Sequence, residues 1–282
     1  MIKLTSILGN SQKLDGGAMF GNAPKSMWEQ WVNVDDKNRI DLGCRTLLVE
    51  DGHRKILLET GIGSFFDPQL KQRFGVQEDE HVLLENLNDL GISDKAIDAV
   101  ILSHLHFDHA GGLLSPWKEN EESHLLFPNA QFFVGQLAWE RAIHPHPRDR
   151  ASFIPHLNKL LEESGRLQLI EGDHNDWLGP LFKFNLSHGH TPGMLLTEII
   201  LEKGNIVFVA DLIPGEAWVH VPISMGYDRF PEAVIDEKSA LLQRLVAENG
   251  RLFFTHDPHV ACGRVAINEK GRYFLSEKSL SL

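Results

Sequence analysis

Three imidazoles and one carboxylate fall within six consecutive positions, His104, His106, Asp108 and His109, in the run Ser103-His104-Leu105-His106-Phe107-Asp108-His109-Ala110-Gly111-Gly112. In an extended segment, residues two apart point to the same side, so His104 and His106 can grip one ion. Asp108 and His109 come where the chain should turn into a helix, with Gly111 and Gly112 easing tight packing. They would face a second ion beside the first. Imidazole and carboxylate suit Zn²⁺ first, with Fe²⁺ or Mn²⁺ as alternatives, and need no thiolate. A His-rich surface loop is the plain alternative. It is weakened because the cluster follows an apolar run and ends in Ala-Gly-Gly-Leu-Leu. Four ionisable groups this close are costly to pack without a cation to share.

These groups need elements to hold them. Short apolar runs rich in β-branched or aromatic residues predict strands over 46–50, 55–59, 98–102, 131–135, 181–186, 198–201, 206–210 and 252–255. Helical spacing predicts helices over 79–90, 152–165 and 231–249, with Gly91 and Gly250 as stops. Alternating strands and helices imply the α/β class. Four of the expected strands each deliver a metal-capable residue just past their carboxyl ends: His104, His190, Asp211 and His256. Loops at strand ends can bring such groups together on a rigid frame.

The His-x-His-x-Asp-His run, followed in order by Gly189-His190-Thr191-Pro192-Gly193, Ala210-Asp211 and His256, resembles the metallo-β-lactamase superfamily. The resemblance runs from about Leu42 to His259. It implies an αββα sandwich of two mixed β-sheets with helices on the outer faces, a single domain over residues 1–282, and a two-metal site. His104, His106 and His190 would bind the first metal, Asp108, His109 and His256 the second, and Asp211 would bridge both. The two metals would share a hydroxide that attacks an electrophilic carbonyl or phosphorus, with Asp108 as proton acceptor and later donor.

The segment from Asp15 to Lys25, with Leu58-Glu59-Thr60-Gly61-Ile62-Gly63 and Ala210-Asp211-Leu212-Ile213-Pro214, is similar to YtnP-like lactonases. They belong to the quorum-quenching N-acyl-homoserine lactonase and methyl-parathion-hydrolase-like branch. Hydrolysis of a lactone or carboxylic ester is therefore the expected activity. Thioester hydrolysis of the glyoxalase II kind and phosphotriester hydrolysis are the alternatives. A di-iron sensory or electron-transfer module is disfavoured, since no flavodoxin-like extension is present. Two segments depart from the pattern. Met194 stands where many relatives have a histidine, and Leu212, Ile213 and Pro214 stand where some lactonases place a tyrosine. Tyr227 is the candidate replacement for that tyrosine. Met19, Phe20, Trp28 and Trp31 read as core packing, with an acyl pocket or a homodimer contact as the functional alternatives. The Trp pair is spaced to share a helix face.

Bulk properties narrow the partners. The 282 residues carry a net charge of −12, which opposes phosphate backbones and anionic lipid, so nucleic acid and membrane are not expected. A small-molecule substrate is. Cys44 and Cys262 sit in no metal-binding pattern and make no disulfide framework. No apolar run reaches the ~18 residues of a spanning helix, and the first residues make a poor signal peptide, so the expected location is cytoplasmic.

Overall fold

The computed structural model describes residues 2–281 and divides into two compact units, one of residues 2–13 and 43–171, the other of residues 14–42 and 172–281.

The first unit is built on a six-stranded mixed sheet, in the order Lys3–Leu8, Arg45–Glu50, Lys55–Leu58, Ala99–Leu102, Gln131–Gly135, Leu167–Ile170. The first three strands pair antiparallel and the rest parallel. Ala99–Leu102 lies between two parallel neighbours and all four of its residues are buried. That explains a continuous apolar run instead of an alternating one. The helix over 79–90 proves to be Val82–Asp89, with His81 as its cap, and Leu83 and Leu87 pack into the core of this sheet. The helix expected from 152 begins at Pro155, because Arg150–Ser152 forms a separate 3₁₀ turn and proline favours the first helical position.

The second unit carries a six-stranded mixed sheet, in the order Tyr273–Ser279, Cys262–Ile267, Arg251–Phe253, Ile206–Phe208, Met194–Ile199, Phe182–Ser187. Only Ile206–Phe208 and Arg251–Phe253 pair parallel, with Phe208 opposite Phe253. The strand expected over 198–201 lies earlier, at Met194–Ile199, where it pairs antiparallel with Phe182–Ser187. The long helix Pro231–Glu248 buries Val234, Lys238, Leu241, Leu242 and Leu245, a stripe at helical spacing, and stops at Asn249 in the left-handed region. Phe20 is stacked between Trp28 and Trp218, at 5.2 and 4.6 Å between ring centroids. Met19, Phe20 and Trp28 are core residues, as read. Trp31 is not on the helix of Trp28, which ends at that residue, and it stays 41% exposed.

Two mixed sheets with helices bear out the α/β class. Among the described residues, no helix is long and apolar enough to cross a membrane.

Candidate metal centre

In the first unit the chain leaves the strand at Leu102 and turns into the short helix Phe107–Ala110, which carries Asp108 and His109. His104, His106 and His109 are buried, and the His104 ring lies 4.3 Å from His106 and 4.2 Å from His109. Asp108 Oδ1 is 3.7 Å from His109 Nε2, and Asp108 Oδ2 accepts a 3.0 Å hydrogen bond from Gln12 Nε2. The glycines that end the motif are required by space: a Cβ on Gly112 would stand 2.1 Å from the Thr60 carbonyl oxygen, and one on Gly111 2.4 Å from that of Ile62. Behind them, His81 Nε2 donates to the Gly112 carbonyl at 3.0 Å while its Nδ1 accepts from Leu84 N–H at 3.4 Å. Burial pushes the His81 imidazole below its usual range, so the ring is neutral in this role.

A residue unmarked as functional by sequence controls this half. Glu59 is fully buried, with a positive φ of 64° that a non-glycine residue adopts only under constraint. A carboxylate can only accept, so His109 Nδ1 donates to Glu59 Oε2 at 2.9 Å and the Ser103 hydroxyl donates to Glu59 Oε1. Having spent its proton there, Ser103 Oγ accepts from His104 Nδ1 at 2.8 Å. Both Nδ1 atoms are thereby protonated, and both Nε2 atoms present lone pairs. Glu59, His104 and His109 offer donor atoms within 4.8 Å of one another. With each Glu59 oxygen engaged on the far side of an imidazole, its place is behind the ligands.

In the second unit three donors arrive from three strand ends. His190, Asp211 and His256 each come three residues beyond the last residue of a strand, after Ser187, Phe208 and Phe253. The last two strands are parallel and in register, which is why Asp211 and His256 emerge side by side. Asp211 Oδ1 is 3.1 Å from His256 Nε2, and Asp211 Oδ2 is 3.2 Å from His190 Nε2. Ala210, with φ 41°, turns the chain so that Asp211 faces both rings. His190 Nδ1 donates to Asp228 Oδ1 at 2.9 Å, while Asp228 Oδ2 accepts from Met225 N–H at 2.7 Å. Nε2 of a neutral His190 therefore turns a lone pair toward a carboxylate oxygen, an arrangement that a shared cation satisfies.

The loop of His190 is pinned by Glu237 of the long helix, which accepts from Ser187 Oγ at 2.6 Å and His188 N–H at 2.8 Å. Lys238, fully buried, donates to the carbonyls of Trp218, His220 and Ile223, and burial lowers its pKa to about 8. Met194 is buried at the start of a strand, consistent with no ligand role there. Tyr227 is 43% exposed, directly before Asp228.

The donor sets suit divalent metal. The first unit brings together three buried imidazoles and a carboxylate, the second two buried imidazoles on one carboxylate, with no thiolate among them. Sequence reading named the seven candidate donors but missed Gln12, Glu59, Ser103 and Asp228, whose hydrogen bonds hold Asp108, His109, His104 and His190. Asp228 directly follows Tyr227, and Glu59 ends an expected strand just before Thr60-Gly61.

Comparison with known proteins points the same way. N-acyl homoserine lactonase AiiA of Bacillus thuringiensis subsp. kurstaki is 27% identical over 229 residues, 76% of this chain and 80% of that protein. A probable metal-dependent hydrolase from Staphylococcus aureus has the same fold at a TM-score of 0.85 and 27% identity, over 99% of this chain and 98% of that one. AidC, a dizinc quorum-quenching lactonase solved with a product, superposes with a TM-score of 0.77 at 24% identity, over 99% of this chain and 95% of its own. The model of the metallo-beta-lactamase superfamily matches residues 39–256, a span that holds every one of the seven donors. By that match, which takes in most of the sequence, the chain belongs to the metallo-beta-lactamase superfamily of metal-dependent hydrolases.

Proposed function

We propose that this chain hydrolyses a lactone or carboxylic ester, of the N-acyl-homoserine-lactone kind, using two divalent metals, Zn²⁺ first among them. The observation that carries the reading is Asp211, whose two oxygens each meet a different imidazole at 3.1 and 3.2 Å. A carboxylate so divided is suited to serve two metals at once. His104, His106 and His190 are assigned to one metal, and Asp108, His109 and His256 to the other. Bound divalent metal supplies an activated water and a Lewis acid for the carbonyl oxygen. The chain supplies the rest. Glu59 and Asp228 keep three imidazoles in the tautomer that offers Nε2. Asp108, steadied through one oxygen by Gln12, takes the proton of the attacking water and returns it to the leaving alkoxide. Tyr227 is assigned to the lactone oxygen, in place of the tyrosine absent after Asp211.

The test joins metal analysis of the purified protein to a panel of lactones, aryl esters, glutathione thioesters and phosphotriesters. We expect about two metals per chain and the highest kcat/KM on lactones. Asp108→Asn should keep part of the metal while kcat falls by roughly 10²–10⁴-fold. Full activity after exhaustive chelation would remove the metal reading. Thioesters or phosphotriesters cleaved far faster than every lactone would replace the substrate class and leave the metal reading standing.

A further inference from the structure

Glu237 and Lys238 are consecutive residues of the long helix, and they grip different parts of the chain. Glu237 accepts from Ser187 Oγ at 2.6 Å and from the backbone N–H groups of His188 and Gly189 at 2.8 and 3.3 Å, on the loop that carries His190. Lys238 instead holds the segment that leads to Asp228. Its ammonium has three N–H donors, and they go to the carbonyls of Trp218 at 3.0 Å, His220 at 3.4 Å and Ile223. The chain from 220 to 230 forms no helix or strand, so its backbone groups depend on partners of this kind.

A charge in this place is costly. Lys238 is 0% exposed, on a stripe otherwise made of Val234, Leu241, Leu242 and Leu245, and among the described residues no carboxylate lies within ion-pair distance of it. Burial lowers its pKa to about 8 while the Asp228 charge acts in the opposite direction, so the group stays an ammonium near pH 7. A leucine would bury more cheaply but would bring no donors to the Trp218 and Ile223 carbonyls. What the ammonium holds continues directly to His190. Met225, two residues after Ile223, donates its N–H to Asp228 Oδ2 at 2.7 Å, and Asp228 Oδ1 accepts from His190 Nδ1 at 2.9 Å. Arg229 and Phe230 then donate their backbone N–H groups to the carbonyls of His190 and Gly189 at 3.1 and 2.8 Å, and the helix starts at Pro231. The path closes on itself, from Lys238 through Asp228 and His190 to Glu237.

We propose that Lys238 is a positioning residue for His190: its ammonium, a built-in counterpart of a bound monovalent cation, fixes the segment 218–228 so that Asp228 meets the imidazole and Nε2 is left to the metal. Lys238 bonds to none of the seven assigned donors and acts through Asp228. The inference rests on the metal reading of His190, although the orientation of the ring can be followed without metal.

The test is proton NMR of the imidazole N–H groups in the metal-free full chain, with the His190 Nδ1–H signal assigned by its loss in His190→Gln and that of His109 as the internal control. In Lys238→Met the His190 signal should shift and exchange with solvent about tenfold faster, while the His109 signal, held by Glu59 in the other unit, stays as in the parent. Chelator competition on the metal-loaded chain should show one of the two metals weakened about fivefold, less than the loss of a direct orienting partner. A lower melting temperature with both signals unchanged would make Lys238 a core residue only and overturn the proposal. Equal loss of both signals would overturn it too, as general loosening. If Lys238→Met does not fold, Lys238→Ala is refolded with n-propylammonium, which supplies the carbons and the ammonium that alanine lacks. The His190 signal should return with n-propylammonium and not with n-propanol. Recovery with both, or with neither, would overturn the proposal. A parent chain that binds no metal while its His190 signal still answers to Lys238→Met would remove the metal reading and leave the positioning role standing.

Discussion

The donors of the two units are held in different ways. In the first unit, His104, Asp108 and His109 lie within six residues, and one carboxylate orients both imidazoles, His109 directly and His104 through the Ser103 hydroxyl. In the second, His190, Asp211 and His256 come from strand ends 66 residues apart along the chain, and the supporting carboxylates divide the work. Asp228 fixes the His190 ring and Glu237 pins its loop, while Asp211 lies between the two imidazoles. A compact ligand cluster can share one support. A dispersed one needs a support for each strand end. Damage should accordingly spread further in the first unit than in the second.

The largest effect is expected from Glu59→Gln. The amide keeps one acceptor and puts a donor where the other oxygen stood, so the arm to His109 or the arm through Ser103 to His104 must break or reverse. Loss of an orienting partner typically costs 10–100-fold in metal affinity, and two imidazoles depend on this one. Chelator competition should therefore show a drop of about 10²–10³-fold, with both metals weakened.

Asp228→Asn should do less. It touches the support of one imidazole alone: the amide oxygen can still accept from His190 Nδ1, and the donor it introduces meets the Met225 N–H, a loop contact and not a second imidazole. A loss of about tenfold, confined to one of the two metals, is expected in the same assay. Were Asp228→Asn as damaging as Glu59→Gln, the shared-support account of the first unit would be wrong.

The smallest effect concerns acid. His81 braces the Gly112 carbonyl behind the ligand cluster as a neutral ring, its pKa lowered by burial. In the unfolded chain it takes a proton near its ordinary value of 6.5, whereas the folded chain resists until a lower pH. Stability from this group is thus complete above pH 6.5 and lost as pH falls from there through the folded value, by at most about 1.4 kcal/mol per pH unit. Denaturant melts between pH 7 and 5 should show a shallower decline in His81→Asn, which can still cap the helix. Parallel declines in the two chains would acquit His81.

Sequence alone singled out the candidate donors and the order of the elements that carry them. His104 to His109 were legible because ligands packed into one turn leave a dense polar cluster after an apolar strand, and His190, Asp211 and His256 because each follows such a strand. Local spacing also gave the helix Pro231–Glu248 nearly to the residue. What it could not give was whatever depends on partners far along the chain. Glu59 reaches residues 44 and 50 positions away, Asp228 one 38 away and Gln12 one 96 away, and a buried carboxylate has no local mark that separates it from a surface one. The Trp28 and Trp31 spacing suggested one helix face, but the helix stops at Trp28. Stacking with Phe20 and Trp218 buries the first ring, while the second stays exposed in the wall of a cavity. Ligand identity is a property of short segments and strand ends. Tautomer, ring orientation and burial are set by contacts that exist only once distant segments have packed.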